Sequence, residues 1–131
     1  QELVLRVEHD GDVVEGRATI IDGPTLTAPA ADQLITFGQP LTVTWTSTAQ
    51  PDFWVTTLTY TNAGAGNGVT DSLPPAARTS VLATTTVPAT AINPAAGVYS
   101  YLRGTFTGPA AAGSTMKVRT GSATVNLVKA P

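Results

Sequence analysis

The residues best suited to chemistry in this sequence are a single histidine and the carboxylates around it. His9 is the only histidine, and it stands beside Asp10 and close to Asp12. Nucleophilic catalysis would need a nucleophile and a rigid partner around such a His-Asp pair, and an Asp-Gly turn supplies neither. We interpret His9 as a solvated turn residue and predict no catalytic residue at this corner.

The same corner gathers oxygen ligands of the kind that Ca²⁺ prefers. They are Glu8, Asp10, Asp12 and Glu15. The spacing lacks the ordered loop and the bidentate glutamate of an EF-hand site. Between a calcium site and a charged corner that keeps an edge hairpin soluble, we favour the charged corner. The sequence therefore predicts no metal and no cofactor.

The other aspartates do not suggest an enzyme either. They are Asp22, Asp32, Asp52 and Asp71. Each falls in a predicted turn, where Asp is favoured because its side chain bonds to nearby backbone, so a pair for glycoside hydrolysis is not indicated. The sequence contains no Gly-x-Ser-x-Gly, phosphate-binding loop or dinucleotide motif. We predict that the protein is not an enzyme.

Aromatic and hydroxyl side chains offer a different chemistry, contact with sugars. Trp54, Tyr99 and Tyr101 would form a stacking platform if they were exposed, although packing within a sandwich is the commoner role of such residues. Two rows of threonine would form one hydroxylated surface if their strands paired. The rows are Thr42, Thr44, Thr46 and Thr48, and Thr57, Thr59 and Thr61. They suit O-glycosylation, ice binding or sugar contacts, or simply reflect the strand propensity of threonine.

Composition narrows the class of protein. The net charge is −2, and only 12% of the 131 residues are charged. Nucleic-acid binding needs a dense basic surface, which 7 scattered basic residues do not provide. The absence of cysteine excludes disulfides and thiolate metal sites, and no apolar run is long enough for a membrane span. Because the chain starts at Gln1 without Met, we expect a secreted protein whose signal peptide has been removed, extracellular or at the cell surface.

Two segments differ in their pattern. Residues 1–22 predict a β-hairpin, because alternating strands flank an Asp10-Gly11 corner that favours a type I′ turn. The hairpin ends at the Asp22-Gly23-Pro24 break. Residues 24–131 have the short strands and regular turn signals of an immunoglobulin-like β-sandwich of about seven to nine strands. We predict an all-β protein with these two parts.

The stretch from Gly38 to Tyr60 is the predicted centre of the sandwich, because both tryptophans and a clear period-two pattern fall within it. The predicted core residues are Leu41, Val43, Trp45, Leu58, Val98, Leu102 and Phe106. The glycine-rich run 62–68 is predicted to be a flexible loop, and Gly121 a turn or a bulge that splits the last strands.

The run Gly38-Gln-Pro-Leu-Thr-Val-Thr-Trp-Thr-Ser47, followed by Ala96-Gly-Val-Tyr99, resembles immunoglobulin-like modules of extracellular and cell-wall proteins. It is similar to the Kre9/Knh1-like Ser/Thr-rich surface domains, over residues 24–131 at most. That resemblance implies a structural role at the cell surface without catalytic residues. The N-terminal hairpin, the long Ala/Pro segments and the missing Ser/Thr-rich tail depart from that pattern.

The N-terminal segment suggests how such a module would act. Leu3, Val4, Leu5 and Val7 make it apolar on both faces, so it could add as a strand to a neighbour's sheet and build a filament, or instead fold back on its own sandwich. Self-association or contact with other surface proteins is the leading hypothesis. The alternative is a carbohydrate-binding or adhesion module with polysaccharide as its partner, contacted by Trp54, Tyr99 and Tyr101 or by the glycine-rich run.

Overall fold

The computed structural model describes residues 2–9, 11–107 and 116–131. Within these ranges the protein is all-β, with eleven strands and no helix. None of the described residues belongs to a helix that is long and apolar enough to cross a membrane. The strands are β1 Glu2–His9, β2 Asp12–Thr19, β3 Thr25–Ala28, β4 Leu34–Ile35, β5 Leu41–Thr46, β6 Phe53–Asn62, β7 Ala65–Leu73, β8 Thr79–Leu82, β9 Ile92–Thr107, β10 Met116–Asn126 and β11 Val128–Lys129.

The strands form three sheets, an arrangement consistent with a β-sandwich. The largest sheet runs in the order β1-β2-β9-β6-β7, and β10 also pairs with β9. A three-stranded sheet has the order β3-β5-β8, and β4 pairs in parallel with β11. The bulge predicted at Gly121 is confirmed, because the β9 to β10 register shifts between Arg119 and Gly121.

The core lies between the large sheet and the three-stranded sheet. Trp45 from β5 meets Trp54 from β6, with ring centroids 5.6 Å apart and an interplanar angle of 56°. A hydrogen bond also crosses the core, from Thr56 Oγ1 to Ser80 Oγ at 2.9 Å, and so satisfies a buried hydroxyl. Five predicted core residues are buried, namely Leu41, Val43, Trp45, Leu58 and Val98. Leu102 is half-buried, and the side chain of Phe106 lies outside the described residues.

Strand β9 is the longest element, at 16 residues, and it extends beyond the sandwich core. Its first part, Ile92 to Tyr101, pairs with β6. Its last part, Thr105 to Thr107, pairs with Glu15 to Arg17 of β2. The N-terminal hairpin therefore continues the same side of β9 that β6 occupies nearer the core.

One expectation about the region around the end of β6 is wrong, and the condition for a joint threonine surface is not met. The run 62–68 is not a flexible loop, because Ala63 and Gly64 form a two-residue turn with φ of 52° and 80°, and β7 begins at Ala65. These positive φ values fit a type I′ turn, whose twist suits paired strands. The two threonine rows do not share a surface, because β5 and β6 belong to different sheets.

Candidate functional site

The predicted N-terminal hairpin is confirmed. Strands β1 and β2 pair antiparallel from Glu2 opposite Thr19 to His9 opposite Asp12. The connection has two residues, and Gly11 has a φ of 82°, which favours glycine there. Asp10 and the side chains of His9 and Asp12 lie outside the described residues, so the calcium alternative at this corner has no described geometry.

The hairpin has one apolar and one charged face. Residues on alternate positions of a strand point to opposite faces. Leu3, Leu5 and Val7 lie opposite Ala18, Gly16 and Val14, which gives a face made of aliphatic and small residues. The other face carries Glu2, Val4, Arg6 and Glu8 from β1, with Glu15 and Arg17 from β2. The hairpin is therefore amphipathic, although it has few residues of the chain to pack against.

Strand β1 is an exposed border of the large sheet. In the described part of the chain β2 is its only partner strand. Four aliphatic side chains of β1 remain exposed, with Leu3 at 40%, Val4 at 45%, Leu5 at 48% and Val7 at 53%. Natural proteins usually protect such edges with charge, proline or bulges, because the unpaired backbone accepts further strands. The four residues proposed from sequence as an assembly strand thus lie together on an open edge.

Ion pairs organise the charged face of the hairpin. Arg17 Nη1 donates to Glu2 Oε1 at 2.5 Å, and Arg17 Nη2 pairs with Glu15. Arg6 pairs with Glu8 at 2.6 Å along β1. The hydrogen bond to Glu15, and after it the one to Glu2, raises the pKa of Arg17 above its ordinary value. These pairs are exposed, so their role is to set the hairpin's charge pattern rather than to add much stability.

The connection from the hairpin to the sandwich is held against β10. A Cβ placed on Gly121 would lie 2.5 Å from the Cα of Gly23, closer than real Cβ contacts. The β-bulge at Gly121 therefore lets the two backbones touch, and Pro24 is buried directly after this contact. This close approach fixes where the hairpin leaves the sandwich.

The predicted aromatic platform has a different composition in the structure. Trp54 is fully buried, and its Nε1 donates to the carbonyl of Pro75 at 2.9 Å, so Trp54 has the commoner packing role and is not part of a platform. Its neighbour Phe53 is on the outer face of β6 and stacks on Tyr101, with centroids 5.0 Å apart. The physical reason is the strand period, since neighbouring aromatic residues must face opposite sides.

Cations surround these outer aromatic rings. Arg103 and Lys117 lie over Phe53 at 5.1 and 5.8 Å, and Arg119 lies over Tyr99 at 5.1 Å. Tyr99 also packs against Gly97, where an added Cβ would be 3.1 Å from the ring. The ring faces are thus largely occupied by neighbours in the chain. What this surface, defined by Arg103, Lys117 and Arg119, presents to solvent is positive charge.

Two clefts in the described part of the chain lack a recognisable set of catalytic side chains. A cleft of about 400 Å³ lies between the hairpin and β9, lined by Glu2, Arg17, Ala18, Thr19, Leu102 and Arg103. A second, of about 350 Å³, lies beside β4 and β5, where the Thr84 hydroxyl is already bonded to the Gln39 carbonyl at 2.6 Å. Among the described residues, no group of three or more His, Asp or Glu side chains could hold a metal ion.

Comparisons of the chain with protein-family models, with curated proteins and with solved structures found no match.

Proposed function

We propose that the chain is a non-enzymatic structural module that self-assembles by β-strand addition through β1. In this proposal it is a subunit of an extracellular filament or cell-envelope layer. The observation that carries it is the open edge of β1, with four half-exposed aliphatic side chains on one short strand. An added strand would pair the free backbone groups of β1 and cover these side chains.

The expected gain favours association. Full burial of an aliphatic side chain is worth about 1.5–3 kcal/mol, so covering the exposed half of one contributes about 1 kcal/mol. Four such residues and a new ladder of backbone hydrogen bonds would then offset part of the entropy lost when two chains associate. The resulting interface would be small, and we expect assembly to depend strongly on protein concentration.

An immunoglobulin-like sandwich as the body of the subunit is part of the proposal. Its support is the strand order, with β3-β5-β8 facing β7-β6-β9-β10 and with β4 joined to β11 at the border. In this view β1, β2 and the far end of β9 are an extension that carries the assembly edge outside the sandwich. The surface-module resemblance of residues 24–131 agrees with this division.

A matched pair of substitutions tests the assembly role. Val4→Lys places a charge on the β1 edge, whereas Val81→Lys makes the same change at a valine of β8 that is 61% exposed. We expect the wild type and Val81→Lys to form oligomers in sedimentation velocity and electron microscopy, and Val4→Lys to remain monomeric. A monomeric wild type at all concentrations, or unchanged assembly of Val4→Lys, would contradict the proposal. Deletion of residues 1–22 is less informative, because it also uncovers Thr105 to Thr107.

A second candidate, carbohydrate binding, is favoured by the cationic surface of Arg103, Lys117 and Arg119. Three positive side chains over stacked aromatic rings suit an acidic polysaccharide better than a neutral one. Isothermal titration with alginate should detect binding that weakens with salt and is lost in the Arg103→Ala/Arg119→Ala double variant. Equal binding of neutral dextran, or no binding of either polymer, would contradict this candidate. Tryptophan fluorescence is a poor reporter here, since both tryptophans are buried.

A further inference from the structure

We infer that the strand which β1 accepts is β1 of a second copy, antiparallel and related by a two-fold axis at Val4. This inference rests on the proposed assembly function and names its partner and register. The sequence around Val4 is Glu2-Leu3-Val4-Leu5-Arg6, which reads the same in both directions except that opposite charges stand at its ends. Two such strands, laid antiparallel, complement each other residue by residue.

The hairpin register determines which backbone groups of β1 are free. In a hairpin with a two-residue turn, the residues flanking the turn form a hydrogen-bonded pair, and such pairs then recur at every second position. His9 and Asp12 flank the turn, so His9, Val7, Leu5 and Leu3 direct their N–H and C=O groups toward β2. The backbone groups of Glu2, Val4, Arg6 and Glu8 consequently point outward, where a second strand would pair.

An antiparallel pair of β1 strands must match the outward-pointing backbone groups of one copy with those of the other. Only a few registers do so, and they differ in which charged side chains they place opposite one another. A two-fold axis at Leu5 would set Glu2 against Glu8, and an axis at Arg6 would set Arg6 against itself. Like charges directly opposite one another are destabilising in a sheet, whereas opposite charges stabilise it. An axis at Val4 instead sets Glu2 against Arg6 twice. Arg6 would then lie between Glu15 of its own hairpin and Glu2 of the other copy.

The apolar face and the charges separate the remaining registers. An axis at Leu3 would set Glu2 against Val4 and leave Leu5 and Arg6 beyond the end of the facing β1. An axis at Val7 would also pair Arg6 with Glu8, but Leu3 and Val4 would then extend past the turn and stay uncovered. An axis at Val4 places Leu3 opposite Leu5 on both sides of the axis. These are non-hydrogen-bonded positions, where the side chains of facing strands approach most closely. This register therefore covers the exposed leucines and satisfies the charges together.

The other two border strands of the large sheet, β7 and β10, are poorer partners for β1. Strand β10 carries the cations Lys117 and Arg119, which suit the glutamates of β1, but it has no carboxylate to face Arg6. Strand β7 is also a border strand, but its only charged residue is Asp71. Its sequence offers nothing to pair with Arg6 except that one carboxylate, and nothing to pair with the glutamates of β1. Charge complementarity therefore selects β1 itself. A two-fold contact of this kind closes on itself, so a filament would be built from dimers through a second contact.

Disulfide trapping tests the register, because the chain has no cysteine of its own. Leu3→Cys and Leu5→Cys full-length variants are purified separately, then oxidised alone and as an equal mixture. With the axis at Val4, the Cα atoms of residues 3 and 5 in facing strands are about 4.5 Å apart, within disulfide reach. Two residues 3, or two residues 5, would be about 8 Å apart, which is too far. Val81→Cys reports random collision.

We expect a covalent dimer from the mixture and, from either variant alone, no more than Val81→Cys gives. Dimer from Leu3→Cys alone would indicate an axis at Leu3, and dimer from Leu5→Cys alone an axis at Leu5. A further variant, Val7→Cys, is oxidised alone in the same way, and dimer from it would indicate an axis at Val7. Any of these results overturns the inference. If no variant traps a dimer while wild-type assembly remains sensitive to Val4→Lys, β1 pairs with a different edge. That outcome overturns the inference and leaves the assembly function standing. A wild type that never assembles removes both.

Discussion

Two hairpins of the same sheet show how similar local signals lead to different surfaces. The β1 to β2 hairpin and the β6 to β7 hairpin both turn through two residues, and the second of each is a glycine, Gly11 or Gly64, with φ near +80°. Both also supply a border strand of the large sheet, β1 in one case and β7 in the other. Turn chemistry is therefore not what distinguishes them.

The difference lies in what each border strand exposes. Strand β7 exposes glycine, asparagine, threonine and serine, and its partner β6 buries Trp54, Thr56 and Leu58 in the core. Strand β1 exposes four aliphatic residues, and among the described side chains of its partner β2 only Gly16 and Ala18 are buried. One hairpin has thus buried its apolar residues within its own domain. The other retains apolar surface that its own domain does not cover.

The largest expected effect separates the two hairpins by their contribution to folding. Leu58→Ala empties a fully buried site, and we expect it to lower the free energy of unfolding by about 2–5 kcal/mol. Leu5→Ala removes a half-exposed side chain and should cost the monomer less than about 1 kcal/mol. Urea denaturation of both variants at a concentration where the protein is monomeric measures the difference. Equal losses would mean that the N-terminal hairpin belongs to the core.

A smaller effect concerns the hydrogen bond between Trp54, in the β6 to β7 hairpin, and the carbonyl of Pro75. Trp54 Nε1 donates to Pro75, whereas Trp45 Nε1 is buried without a hydrogen-bond partner among the described residues. Trp54→Phe and Trp45→Phe remove the same volume, so their difference reports the hydrogen bond together with the contact of the Arg78 guanidinium, 5.2 Å from the Trp54 ring centre. We expect Trp54→Phe to be more destabilising by about 1 kcal/mol in thermal or urea unfolding. The opposite order would show that the Trp45 donor is satisfied in solution.

Replacing either turn glycine by alanine should have the same local cost, but the two substitutions should destabilise different parts of the molecule. An added Cβ at Gly11 or Gly64 meets no atom within 4 Å, so alanine there costs only the strain of positive φ, about 1 kcal/mol. For Gly64→Ala we expect this loss in global unfolding. For Gly11→Ala we expect faster amide exchange within β1 and β2 and little change in global stability. A global loss in both variants would argue against a separately opening hairpin.

The smallest expected effect is that of the ion pairs around Arg17. Arg17→Gln should leave monomer unfolding nearly unchanged, because Arg17 and Glu2 are about half exposed, Glu15 is partly exposed, and water screens these pairs. The raised pKa of Arg17 means that any stabilisation from its charge is complete at neutral pH and is lost only as pH rises through that high folded-state pKa. Unfolding measured between pH 6 and 9 should therefore show no titration from Arg17. A step between pH 6 and 9 that is present in the wild type and absent in Arg17→Gln would contradict this expectation.

Some of this architecture could be predicted from sequence and some could not. The hairpin turn at Gly11, the Trp45 strand and the Gly121 bulge are local signals, and each appears where the pattern indicates it. The run 62–68 was misread because glycines suggest a loop, whereas pairing with β6 holds them in a strand. The sequence does not show which side of β6 Trp54 faces. Phe53, Trp54 and Val55 are all apolar, so either set of alternating positions could be the buried one.

The site was predictable in composition but not in placement. Leu3, Val4, Leu5 and Val7 stand out in the sequence because they are apolar on both faces. That β2 docks on the far end of β9, and so leaves β1 as the border, depends on long-range pairing that no local pattern encodes. The cationic surface was missed for the same reason, since Arg103 and Lys117 become neighbours only through the β9 to β10 register.

The long strand β9 has a mechanical consequence. A load applied at β1 passes through β2 into β9 across a ladder of three residues, Thr105 to Thr107, and only then reaches the much longer ladder with β6. The short ladder is the weaker joint, so it should yield first and spare the sandwich. In single-molecule pulling from β1 we expect a small rupture that precedes the main one and reforms on relaxation. The hairpin would thus detach from β9 first under load, so that a stretched assembly lengthens without unfolding the sandwich of its subunits.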